Sequence, residues 1–361
     1  MKITASEISY DVSKALGASQ ANAFQMEDIT PALTRSYVKP GLLTALLAPQ
    51  QELLLTDTFK FDRTDSTVAL PDGKSYMALG NDIAKDRPKQ YLYSVPSFGI
   101  KFNVAPGDYA NRRKPGTNEL MQEADVVAAM TVKADDAWAL FEELAIAQLV
   151  TADTNIVRGG PFTVYNFHTE LEGGARAAAT DMNLDGANID FYQTFREQRR
   201  LLTQTLQRAG DSASQIVCVC GDTFFDLRYA VEQKSGLARE IKFGLDLASQ
   251  PISESSFGAG TYNYAYFDSM DGIRYINYGS EIIAGQKLIG DADAYLIPLG
   301  ARNLIRSVYA PAQTREYVNT QAMKRYAWSM VDNRQGVTVI QESNFLPALL
   351  TPAAIRHLTT T

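Results

Sequence analysis

Residues 117–151 carry the longest unbroken helical pattern in the chain. Apolar or small side chains recur at Leu120, Ala124, Val127, Met130, Ala134, Trp138, Phe141, Ala145 and Leu149, in steps of three and four that draw one stripe down one face. Glu119, Glu123, Asp125, Asp135, Asp136, Glu142 and Glu143 fall between stripe positions, so the opposite face is expected to be acidic and wet. Pro115-Gly116 closes off anything earlier, and Asp153 followed by Arg158-Gly159-Gly160 marks the end. At 1.5 Å per residue such a helix is a rod of roughly 50 Å, with a weak point expected at the β-branched Thr131-Val132. A rod of that length needs a body to lie on.

The chain has 361 residues, 45% hydrophobic and 21% charged, which is enough to bury a large core in two domains or in one with long excursions. It contains no apolar run long enough to span a bilayer, and Met1-Lys2-Ile3-Thr4 does not open a signal peptide, so a cytosolic protein with no membrane partner is expected. Cys218 and Cys220 lie in the apolar run 215–221, which reads as a buried strand whose two thiols stay reduced. A net charge of −7 argues against a protein that reads nucleic-acid sequence. The short basic clusters 111–114 and 196–200 read first as solvated faces or subunit salt bridges.

Taken in order, residues 1–30 form a polar, small-residue arm with weak periodicity. Pro31, Pro40 and Pro49 then punctuate two short helical turns. From residue 56 to 104 the period drops to two at Phe59-Lys60-Phe61, Thr67 to Leu70, Tyr91-Leu92-Tyr93 and Phe98 to Val104. That is the signature of two strand regions joined by a polar tip containing Pro71-Asp72-Gly73 and residues 81–89, an extended flap. A lone hairpin is unstable in water, so the flap must rest on a neighbour. Beyond the long helix the pattern predicts a hairpin over 155–170 turning at Gly159-Gly160, a helix over 190–209, the cysteine strand and a third helix from Asp222 to Val231. It then predicts a loop over 244–260, a hairpin turning at Met270-Asp271-Gly272, and strand-like runs from 303 to 358.

Catalytic constellations are absent from this pattern. His168 and His357 are the only histidines, and neither stands near a nucleophile signature; no Cys/His set has zinc spacing, and no cofactor is implied. Residues 279–287 have the look of a phosphate loop, but Gly285 comes one position late and Gln286 separates it from Lys287. Gly258-Ala259-Gly260 lacks the third glycine of a dinucleotide fingerprint. An arm, a flap, a long helix and an α+β unit over 173–303 make a subunit with surfaces it cannot satisfy alone, which points to self-assembly.

The C-terminal stretch then carries a resemblance. Ser307-Val-Tyr-Ala-Pro-Ala-Gln-Thr-Arg-Glu-Tyr-Val-Asn-Thr320, Tyr326, Gly336-Val-Thr-Val-Ile-Gln-Glu-Ser-Asn-Phe-Leu-Pro347 and Pro352 are similar to the Ala-Pro-Ala-Asp, Val-Asn-Thr and Gln-Ser-Asn-Pro-Leu-Pro signatures of the lambda-type tailed-phage major capsid proteins. Gln313 stands for the acidic residue, and Glu342 and Phe345 interrupt the last motif. Phe267-Asp268 with the run Gly272 to Gly279 resembles that family's hairpin pattern, and Leu43 to Phe61 its entry into the flap.

The resemblance implies an α+β, HK97-like capsid fold. Its parts would be an N-terminal arm over 1–50, an E-loop over 51–108, a peripheral domain with the spine helix over 109–172, an axial domain over 173–303 and a return segment over 304–361 that completes the peripheral domain. It also implies hexamers and pentamers that build an icosahedral virion shell in the host cytoplasm around double-stranded DNA contacted non-specifically. A separate scaffold with protease, a portal and a decoration protein would be partners, and Lys-to-Asn crosslinking from Lys74, Lys85 or Lys89 is not expected. Candidate intersubunit contacts are Phe59, Phe61, Asp72, Lys74, Lys85, Arg87, Phe98 and Phe102 on the flap, Arg112 and Arg113 ahead of the helix, and Glu142 and Glu143 on it. The alternatives are an encapsulin-like cellular shell and a soluble enzyme.

Overall fold

The computed structural model describes residues 41–64, 86–114, 119–156, 162–184, 191–234, 253–256, 263–269, 272–279, 282–283, 285–331 and 336–360. One long strand draws the first sheet together. β1 (Gln50–Leu53), β13 (Ile305–Tyr309), β14 (Tyr326–Val331) and β4 (Ser97–Val104) all belong to the sheet of β15 (Val337–Leu349). β15 pairs antiparallel with β14 on one side and β4 on the other through its first half, and with β13 along Phe345–Leu349. β1 adds to β13 in parallel. The two halves of β15 differ in burial: Val337–Ile340 is partly exposed, whereas residues 343–349 are buried without alternation, as in a strand covered on both faces.

The helix α3 (Glu123–Ala152) lies across this sheet. Trp138 Nε1 donates to Gln341 Oε1 (2.9 Å), and Phe98 of β4 sits against Phe141 with 4.6 Å between ring centroids. Ala134 packs with Phe102 and Val104 further toward the N-terminus. The helix is shorter than its pattern predicts because its first turn is spent elsewhere: Leu120 forms an isolated bridge with Arg113, and Asp125 accepts from the Gln122 N–H (2.9 Å) to start the helix at Glu123. Burial raises the Asp125 pKa, but the Gln122 N–H and Lys114 outweigh it and the net shift is downward. No break occurs at Thr131-Val132. At the other end Asp153 adopts the left-handed conformation, φ 56°, and Arg176 donates to the Val150 and Thr151 carbonyls while pairing with Asp153.

A second, seven-stranded sheet runs in the order β5 (Thr180–Asp181), β16 (Arg356–Thr359), β12 (Asp293–Leu299), β6 (Gln215–Cys220), β9 (Arg274–Asn277), β8 (Asn263–Asp268) and β7 (Ser253–Ser256). Helices α5 (Phe191–Arg208) and α6 (Asp222–Lys234) cover one face. Phe195 meets the Tyr275 ring and Phe225 the Phe267 ring, with centroids 5.7 and 5.2 Å apart, and Tyr275 and Phe267 stack on each other at 5.1 Å. Arg228 of α6 is fully buried among them, over the Tyr275 ring at 4.8 Å and bonded to Ser269 and Glu232. Cys218, aligned with Tyr275, and Cys220 are buried and not joined in a disulfide, as the apolar pattern of β6 predicts. The end of α3 meets the opposite face, where Arg176 lies over the ring of Tyr295, a residue stacked on His357. Burial there pushes the Tyr295 phenol up to about 12.

The remaining elements are α1 (Leu42–Leu47), α2 (Pro106–Tyr109), α4 (Phe167–Glu172), the flap strands β2 (Thr58–Arg63) and β3 (Lys89–Ser94), and a small hairpin of β10 (Ile282–Ile283) with β11 (Gln286–Lys287). Several expectations are corrected. Phe98 to Val104 pairs with β15 rather than within the flap, since β15 offers eight partners in register. Of the hairpin expected over 155–170, the described residues show one antiparallel bridge, Thr154 to Asn166, ahead of α4, whose first turn is capped by Asn166 accepting from the Thr169 N–H; the turn at Gly159-Gly160 lies outside the described residues. Ser253–Ser256 is a strand inside the expected loop. The return segment is shared, because β16 pairs with β12 in the second sheet while β13 to β15 build the first. The hairpin of β8 and β9 forms as predicted, with Gly272 at φ 77°; Met270 and Asp271 lie outside the described residues, as do 1–40 and Thr67 to Leu70.

Among the described residues no helix is long and apolar enough to cross a membrane, and no group of three or more His, Cys, Asp or Glu is placed to hold a metal ion. The described residues of 279–287 enter β10 and β11 and not a helix, unlike the strand-to-helix turn of a phosphate loop.

Three chain segments meet where β6 enters α6. A Cβ on Gly221 would stand 2.0 Å from the Gly290 carbonyl oxygen and 2.7 Å from that of Asp291, both backbone atoms. Gly221→Ala is therefore expected to lower stability by about 1–3 kcal/mol in urea unfolding. Gly107→Ala, in α2 with nothing within 4 Å, serves as the near-neutral control; equal midpoints for the two variants would contradict the close approach.

Candidate assembly surfaces

The flap pairs β2 with β3 from Thr58↔Ser94 to Arg63↔Lys89. Its alternation divides two faces. Phe59 and Tyr93 are buried and Phe61 and Tyr91 half-buried, and their rings stack along one face with 5.3 Å between Phe61 and Tyr91. Lys60, Asp62, Gln90 and Leu92 stand exposed on the other. The inner face rests on this chain's own body, where Tyr93 meets Tyr165 and Phe167 edge-on at 4.9 and 5.4 Å. The Ser94 N–H, at the root, donates to the Tyr165 hydroxyl (3.0 Å), and Arg63, at the tip-ward end of β2, bonds Glu172 and the Leu171 carbonyl. Burial, then the nearby Glu170 carboxylate, holds the Tyr93 phenol protonated well above its usual range.

The root of this arrangement is Glu143. Sequence periodicity puts it on a wet face of α3, yet it is completely buried. Oε1 accepts from the Leu43 N–H (2.8 Å) and the Tyr278 hydroxyl (2.6 Å); Oε2 accepts from the Thr44 N–H (2.9 Å) and its hydroxyl (2.6 Å). The carboxylate thus gathers two orphan donors at the start of α1, the long helix and the second sheet at one point. Glu142, one residue back, turns toward the 320s and pairs with Lys324 and Arg325 at 2.8 and 3.4 Å, and Arg325 also reaches Asp135.

Apolar side chains stay exposed at the margins of the first sheet. Leu53 ends β1 and Leu55 follows it, and the Leu54 carbonyl accepts from the Ala322 N–H, which brings the segment of Val318 and Met323 to that end. Met330 and Val331 end β14. The exposures range from 41% at Met323 to 76% at Val331.

Of the residues the sequence offers as intersubunit contacts, Phe59, Phe98, Phe102 and Glu143 are buried within this chain and are corrected to core positions: the first rests on α4 and its approach, the next two are covered by α3, and Glu143 bonds internally. Phe61 is half-buried in the flap's ring stack, and Glu142 is half-buried and ion-paired. Arg87, Arg112 and Arg113 are exposed, and Asp72, Lys74 and Lys85 lie outside the described residues. The exposed margin of Leu53, Leu55, Val318 and Met323 escapes sequence reading, because distant segments assemble it.

A family model described as phage major capsid protein E matches residues 25–360. No curated protein sequence matches the chain. Among solved structures, the capsid of a native GTA particle computed with C5 symmetry is 13% identical, with 96% of this chain and 99% of that one covered and a TM-score of 0.53. The mature capsid of bacteriophage PhiM1 is 11% identical, covering 100% and 99%, with a TM-score of 0.52. The putative capsid protein of a prophage from E. coli CFT073 is 12% identical, covering 90% and 94%, with a TM-score of 0.52.

Truncating Glu143 to Ala strands the Leu43 and Thr44 N–H groups, each at a cost of about 1–3 kcal/mol. Glu143→Ala is therefore expected to lose several kcal/mol of stability in denaturant unfolding, and Tyr278→Phe, which removes one bond, about 1 kcal/mol. A Glu143→Ala protein as stable as the parent would show that the four bonds contribute nothing.

Proposed function

The chain belongs to the phage major capsid protein E family, and from that premise we propose that its flap and apolar margins are the surfaces through which copies close into hexamers and pentamers of the head. The protein itself is a structural subunit of an icosahedral bacteriophage capsid with an HK97-like fold, a building material and not an enzyme. The observation behind the proposal is the flap's division of labour. Its inner rings are used up on this chain's own body, while its outer face carries Leu92, 56% exposed, among Lys60, Asp62 and Gln90. A two-stranded ribbon with one open face gains stability only when a second body covers that face.

In this reading residues 55–94 act as the E-loop and lie over the next subunit. The first sheet with α3 forms the peripheral domain, and the second sheet with α5 and α6 forms the axial domain at the capsomer centre. Assembly takes place in the host cytoplasm on a separately encoded scaffold with its protease, around a portal. The shell encloses double-stranded DNA held without sequence preference, and a decoration protein binds the exterior of some particles.

Expression of the protein alone and with the neighbouring scaffold gene is expected to give closed polyhedral shells or ring-shaped capsomers in negative-stain electron microscopy. A monodisperse monomer under both conditions would overturn the reading. Leu92→Asp separates folding from assembly: an exposed substitution leaves the subunit's unfolding within about 0.5 kcal/mol of the parent, while shells fail to form. Normal shells from Leu92→Asp would remove the flap's outer face from the interface.

A further inference from the structure

We propose that the arginine-lined flank of α5 is a contact surface for the phosphate backbone of duplex DNA, which makes the α5 side of the second sheet the lumenal side of the shell wall. The inference rests on the reading of the chain as the subunit of a DNA-filled head. α5 seals the sheet with Phe195, Leu202 and Leu206 and turns the rest of its surface to solvent. Arg196, Arg199 and Arg200 stand exposed within a single turn, and Thr203 and Gln207 continue the same flank at helical spacing, also exposed. Arg208 stands exposed in the last turn. Glu197 is the only acidic residue of the helix, so a cationic surface sits in a chain whose net charge is −7.

The chemistry of the flank selects among polyanionic and protein occupants. From residue 196 to 207 it runs about 16 Å, and duplex DNA presents one phosphate per about 3.4 Å of axis on each strand. Several phosphates therefore fall within its length. Guanidinium groups fork onto phosphate oxygens, and the Gln207 amide adds a neutral donor. The flank contains no apolar side chain, whereas an interface between protein copies gathers around a desolvated apolar or aromatic centre. Arg176, which bonds the end of α3, lies over Tyr295 on the other face of the sheet, so α5 and the end of α3 stand on opposite faces.

The test uses the full chain as unassembled capsomers and a 30-base-pair duplex of arbitrary sequence, with affinity measured against salt. Each phosphate contact contributes about −0.9 to the slope of log affinity on log salt, so Arg196→Gln/Arg199→Gln/Arg200→Gln is expected to reduce the magnitude of the slope by roughly three and Arg200→Gln alone by roughly one. The corresponding triple Lys variant should keep the parental slope. Electron microscopy of each protein under assembly conditions reads shell formation separately. Parental protein that forms shells but does not bind duplex at low salt, or a Gln variant with the parental slope, overturns the proposal. A Gln variant that loses shells while its slope is unchanged overturns it in favour of a contact between copies. Parental protein that forms no shells under any condition defeats the capsid reading itself.

Discussion

Four donors converge on one buried carboxylate, and the rest of the subunit is arranged around that point. Glu143 lies near the C-terminal third of α3, where the helix passes from the first sheet toward the second. Burying a carboxylate costs several kcal/mol unless its oxygens are fully engaged. Here each oxygen accepts two bonds, from the α1 backbone, a threonine hydroxyl and a tyrosine on the second sheet. The cost of removing one partner exceeds the gain of making the bond, so the arrangement specifies one relative placement of α1, α3 and Tyr278. A hydrophobic contact at the same place would tolerate sliding. This one does not.

β15 provides the second fixed element. It is the partner of β4, β14 and β13 in turn, and the segment that follows it runs through Pro352–Ala354 into β16 at the far sheet. A single stretch of chain therefore belongs to both layers, and the buried half of β15 sits where they meet. Trp138 adds the only heteroatom of its ring to this frame by donating to Gln341. With α3 tied to the first sheet by Trp138 and Phe141 and to the second by Glu143 and Arg176, the subunit behaves as one stiff lever. The flap strands are anchored on the lever at both ends, through Tyr165 at the root and Arg63 toward the tip.

Much of this was legible from local patterns. The step of three and four found α3, α5 and α6; the step of two found β2, β3, β4 and β15; the apolar run around Cys218 and Cys220 found the centre of the second sheet. Patterns of that kind say which face of an element is apolar and leave open what covers it. Hence the period of two places the strand of Phe98 and Phe102 with the flap, although its apolar face is the one α3 covers. Residues 142 and 143 mark the limit most clearly. They are chemically identical neighbours on one helix, 100° apart, and only the fold decides that one meets Lys324 while the other is walled in by Leu43, Thr44 and Tyr278. No spacing rule couples residues separated by a hundred positions or more.

The stiffness of the body gives meaning to its unfinished margins. β1 and β14 close the first sheet's path with outer edges unpaired among the described residues, and β2 and β3 make a sheet of only two strands. Open edges invite pairing with other chains, and a monomeric protein commonly protects them with charge, bulges or covering loops. Here Leu53, Leu55, Met330 and Val331 are left in solvent beside those edges instead. In a flexible subunit such surfaces would lead to disordered association. On a subunit whose layers are locked by Glu143 and β15, each exposed surface keeps a fixed direction, and repeated contact between copies turns through the same angle every time, which is the condition for closure.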